Sequence, residues 1–141
     1  MPGNLSVLNE NILVVGERAT LLRVSLFKLD GTFMKIIKTK NSCFLPVALS
    51  KGKIAYLAQH YGPIKSSSQD IDKEIIILDV NSEKELVVDK FEHVFKFRLN
   101  SRGSMLSDDA FPEKVFFAQT KSGNLVTGST DRSFLRVFSP S

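Results

Sequence analysis

The chain has 141 residues, 43% hydrophobic and 24% charged, with 19 basic residues against 15 acidic ones and a net charge of +4. That balance is ordinary for a folded globular domain and excludes a disordered polyelectrolyte. No run approaches the roughly 20 apolar residues of a membrane-spanning helix, so no membrane span is expected.

The opening MPGNLSVLNENILVV has no basic stretch leading into an apolar one, so no secretory leader is expected, and the compartment stays open. NILVVGE, residues 11–17, is a short apolar run closed by Gly16. RVSLFKLDGTFMKIIK, residues 23–38, is two apolar runs either side of Asp30-Gly31. Asp-Gly at such a place is a strong hairpin signal, because glycine takes positive φ without steric cost. KIIKTK, residues 35–40, is the densest basic run, and its apolar positions suit a half-exposed strand. The basic residues are otherwise scattered, which argues against a nucleic-acid footprint. Cys43, the one cysteine, rules out an internal disulfide and a cysteine metal cluster.

KGKIAYLAQH, residues 51–60, reads as a turn and a strand, and EIIILDVNSEKELVVDKF, residues 74–91, as two strands joined through Asn81-Ser82. HVFKFRL, residues 93–99, alternates with period two and is expected to start a new unit. KVFFAQTKSGNLVTGS, residues 114–129, is a further hairpin turning at Ser122-Gly123-Asn124. No segment carries a helical period over ten or more residues, so the chain is all-β.

Two stretches read as long loops on this scaffold, where binding groups usually sit. Residues 62–73, GPIKSSSQDIDK, offer Asp70 and Asp72; residues 100–113, NSRGSMLSDDAFPE, offer Asp108 and Asp109. Ser66, Ser67 and Ser68 lack a Gly-x-Ser-x-Gly context, and no phosphate-cradling glycine loop is present, so no catalytic residue is assigned. His60 and His93 have no partner pattern that suggests a metal pair.

The two ends of the chain share a skeleton. Leu13-Val14-Val15-Gly16 answers Leu125-Val126-Thr127-Gly128, and Leu22-Arg23-Val24 answers Leu135-Arg136-Val137. A looser middle copy starts near Ile54, roughly 41 residues after Leu13, which is the period of a four-stranded propeller unit. Arg23 and Arg136 thus occupy matching places, as basic binding groups or as strand arginines paired with carboxylates.

On these residues, Gly123 to Gly128 with Leu135 to Phe138, and Leu26 to Phe33, the chain resembles the NHL-like six-bladed β-propellers of bacteria. LVTGSTDRSFLRVFS is also similar to a WD-repeat strand pair, but no Trp-Asp or Gly-His dipeptide occurs. The resemblance implies blades of four antiparallel strands packed about an axis. About three blades are expected, over residues 5–40, 43–91 and 94–141, the last lacking its outer strand. Half a ring would expose two apolar blade faces. The chain would then be a piece of a longer propeller protein, or one of two copies closing a ring as a homodimer. The implied function is a non-enzymatic interaction module for a protein or small ligand, with no cofactor. The alternative is part of a metal-dependent propeller hydrolase or lactonase, in which loop carboxylates bind calcium.

Overall fold

A computed structural model describes residues 2–17, 21–108 and 113–139, with the backbone alone for residues 2–4. These residues form strands and no helix, so none is long and apolar enough to cross a membrane. The first sheet holds β1 (Pro2–Leu8), β2 (Ile12–Glu17), β3 (Arg23–Lys28) and β4 (Phe33–Lys38). The central sheet holds β5 (Phe44–Leu49), β6 (Lys53–Ile64), β7 (Ser68–Asp79), β8 (Glu85–Leu99) and β9 (Met105–Ser107). The third holds β10 (Val115–Gln119), β11 (Leu125–Ser129) and β12 (Arg136–Phe138). Every sheet is an antiparallel meander in chain order.

The hairpin turns fall where their residues demand. Gly31 sits at φ 86°, and the Asp30 side chain accepts the Thr32 amide at 2.8 Å, closing β3 onto β4. The Asp79 side chain accepts the amides of Asn81 and Ser82, both at 2.9 Å, between β7 and β8.

Two expectations are corrected. Residues 62–73 are not a long loop: β6 runs to Ile64 and β7 starts at Ser68, leaving a tight connection in which the Lys65 amide donates to the Ser68 carbonyl. His93 does not open a new strand either, because β8 is continuous from Glu85 to Leu99. The serines and aspartates that read as loop belong to a hairpin whose backbone pairing continues, with one register shift between Tyr61 and Ile64, to Ile64–Gln69. β5 begins pairing with β6 at Leu57, so beyond that point β6, β7, β8 and finally β9 continue as an arm.

The central sheet is buried on both faces. Ile54, Tyr56 and Ala58 of β6, with Ile76 and Leu78 of β7, pack on Leu8, Val14, Val24, Leu26 and Ile37 of the first sheet. The alternate residues Ala55, Leu57, Ile75 and Ile77 pack with Phe91 on Leu125, Val115, Phe117 and Phe138, toward the third sheet. This double coverage explains why IAYLA and EIIIL are unbroken apolar runs rather than alternating ones. Each large aliphatic side chain buried here contributes roughly 1.5–3 kcal/mol. The first strands gather together, β5 touching β1 on one side and β10 on the other.

The three repeat anchors point in one sense along the stack. Ile54 faces the first sheet and Leu125 faces the central sheet, each toward its predecessor. Leu13, the neighbour of inward-facing Val14, faces away from the central sheet, which is again the preceding side. These three residues thus face the same way along the stack. One face at each end is left open: Leu5, Val7, Phe33 and Ile36 are exposed on the first sheet, and Phe116, Leu135 and Val137 on or beside the third.

Candidate functional site

The chemistry of the molecule gathers on the seam between β8 and the third sheet. A bulge creates it: Ile76 pairs with Val87 and Ile75 with Asp89, so Val88 is an extra residue that reverses the phase of β8. Asp89, Phe91 and His93 consequently all face the third sheet, where a strand without the bulge would turn Asp89 the other way.

Asp89 is fully buried, with 0% of its side chain exposed. The Thr127 hydroxyl donates to it at 2.5 Å, Arg132 Nη1 to both oxygens at 3.0 Å, and Arg136 Nη1 at 3.1 Å. Arg132 Nη2 also donates to the Lys90 carbonyl at 2.6 Å, and its guanidinium lies 3.9 Å above the Phe91 ring. One carboxyl group thus fastens β11, β12 and the turn between them to the central sheet. Of the two sequence readings of Arg136, basic binding group or strand arginine paired with a carboxylate, its pairing with Asp89 matches the second; the sequence did not single out Asp89, which sits unremarkably in ELVVDKF.

Two strand periods beyond Asp89 on β8, His93 meets two carboxylates from other elements. Its Nδ1 lies 3.9 Å from Glu113 Oε2, just ahead of β10, and Asp131, in the β11–β12 turn, completes a group whose ligand atoms all lie within 4.8 Å of one another. Beside them a cavity of about 340 Å³ is lined by Lys90, Phe91, Glu92 and Arg132. His60, the other histidine, is not a member of this group. Nothing in the local sequence around His93 reveals it, since its three members come together only through the packing of the third sheet on β8.

The predicted binding residues do not meet in one place. Arg23 lies on the open face of the first sheet, its Nε 2.8 Å from Glu17 Oε2, while Arg136 is committed to Asp89. Glu17 also accepts from the Ser25 hydroxyl at 2.6 Å, and that bond, followed by Arg23, holds its carboxyl below the usual range. With Leu13 matched to Leu125, strand register sets Ser25 rather than Arg23 opposite the place of Arg136, two residues along on the same face. Asp70 and Asp72 are on β7 in the arm, Asp70 3.4 Å from Lys65 Nζ and Asp72 paired across the strand with Glu92. Asp108 follows β9, 3.4 Å from Arg98 Nε, and its amide donates to the Lys96 carbonyl. The two loop predictions thus fall on one sheet extension. Asp109 lies outside the described residues.

Cys43 is buried, and burial, then the nearby Glu85 carboxylate, push its thiol up to about 12, so it is a protonated core group at neutral pH. Glu85 also accepts the Tyr56 hydroxyl, tying β8 to β6. A second cavity, of about 640 Å³, runs beside β12 between Ile77, Leu86 and Val88 on one wall and Val137 and Phe138 on the other. Comparison with protein-family models, curated proteins and solved structures found no match.

Proposed function

We propose that this chain is a three-blade segment of a six-bladed, NHL-like β-propeller, acting as a protein-interaction module without a reaction of its own. The observation that carries the reading is the pair of open apolar faces at the two ends of a stack whose sheets all point the same way. The open side of the third sheet is the kind of face that the central sheet turns toward the third. The open side of the first sheet is the kind of face that the third turns toward the central one. They are therefore complementary in type, and the occupant we assign to them is a second copy of the chain. A two-fold axis would seat each copy's third sheet on its partner's first and close the ring at six blades.

Light scattering on the purified chain tests this directly. A single species at twice the 15.7 kDa chain mass supports the reading. A monomer that stays monomeric at high concentration, or a polymer that grows without closing, overturns it.

The hydrolase reading finds less support. The carboxylates expected to gather for calcium, Asp70, Asp72 and Asp108, are spread along the arm, and Asp70 and Asp108 are each beside a lysine or arginine.

A further inference from the structure

We propose that His93, Glu113 and Asp131 form a binding site for a transition-metal dication of the zinc type, independent of ring closure. Three side chains from three separate elements converge there: β8, the segment leading into β10, and the β11–β12 turn. One imidazole nitrogen and two carboxylate oxygens are a known donor set for zinc, and three protein ligands leave a position open for water or another ligand.

The distances are those of a site that closes on its ion. Zinc bonds of about 2.0–2.1 Å put tetrahedral ligands about 3.3 Å apart, while the atoms here lie within 4.8 Å, with 3.9 Å between His93 and Glu113. Small side-chain rotations cover the difference without moving a strand. Glu113 is the more enclosed of the two carboxylates, with 8% of its side chain exposed, while Asp131 is exposed. Two carboxylates brought this close repel each other, and a dication removes that repulsion. The guanidinium lining the adjacent cavity, Arg132, is already engaged by Asp89 and the Lys90 carbonyl. The cavity of about 340 Å³ beside the group gives the open coordination position somewhere to face.

The competing arrangement is a protonated His93 between the two carboxylates with no ion. Calorimetric titration of the chelator-treated chain with zinc chloride separates the two. The expected result is one equivalent of zinc per chain, with affinity falling about ten-fold or more in both His93→Gln and Asp131→Asn. His60→Gln should leave it unchanged, although His60 has its own carboxylate neighbour in Glu74 at 3.0 Å. Cobalt should bind in the same place and give visible d–d bands that His93→Gln abolishes. Circular dichroism of the variants checks that they remain folded, and Asp131, being exposed, is the substitution that least disturbs packing. Absence of saturable binding overturns the proposal. So does binding indifferent to both His93→Gln and Asp131→Asn, or calcium binding as tightly as zinc.

Discussion

Asp89 shows how much of the molecule can depend on one side chain. It is buried among a threonine hydroxyl and two guanidinium groups that reach it from the third sheet. Truncation in Asp89→Ala strips their shared carboxylate from Arg132, with 19% of its side chain exposed, and Arg136, with 48%, so a loss of about 3 kcal/mol, the low end for a broken buried pair, is expected in denaturant unfolding. Thr127→Val, which removes one donor and little volume, should cost about 1–3 kcal/mol. Glu17 makes a different claim, about acidity. Its carboxyl is held below the usual range by Ser25 and then Arg23, so the native state binds a proton there less readily than the unfolded chain. That contribution is fully present above the ordinary glutamate value of about 4.3 and is lost as pH falls through the lowered one. Melting temperatures followed downward from pH 5 should show the loss, and Arg23→Met should make the slope shallower. At neutral pH the same substitution should cost less than about 1 kcal/mol, as half-exposed ion pairs do.

Between strands, the two repeat glycines give the sharpest comparison. Gly16 faces the central sheet, and a Cβ there would stand 2.8 Å from the Cys43 carbonyl oxygen and 3.1 Å from the Pro46 ring. Backbone and proline cannot yield easily, so Gly16→Ala should cost about 1–3 kcal/mol by overpacking. Gly128 is the same slot on the third sheet, but a Cβ there meets only the ends of Phe116 and Leu135, at 2.7 Å. Those side chains can swing aside into solvent, so Gly128→Ala should change thermal unfolding of the single chain less than Gly16→Ala does. The tight turns at Asp30-Gly31 and Ser122-Gly123 were legible in the sequence, because each depends on residues adjacent in the chain. The arm was not legible. GPIKSSSQDIDK is polar because the strand faces water there, and composition does not separate an exposed strand from a loop. The bulge at Val88 left no mark either, so the side of β8 that carries Asp89 and His93 followed only from pairing with β7.

At the scale of the molecule, the stack is covered in the middle and bare at its ends. Val137 is 62% exposed and Leu5 61%, values at which substitution should hardly touch the stability of a single chain. If a partner copy covers those faces, Val137→Glu should return a double-mass species to single mass while leaving the melting of the lone chain nearly unchanged. Charge placed on the arm, at Val94 for instance, should have no such effect, since the arm stands apart from the proposed contact.

The connectivity of the sheets also bears on how the chain finds its structure. Each strand pairs with its neighbour in sequence, so a whole sheet can zip up through short loop closures before any sheet meets another. The central sheet, whose β6–β7 hairpin pairs all the way from Lys53–Asp79 to Ile64–Gln69, is the natural nucleus. The outer sheets would then add in either order, like units of a linear array whose stability grows one interface at a time.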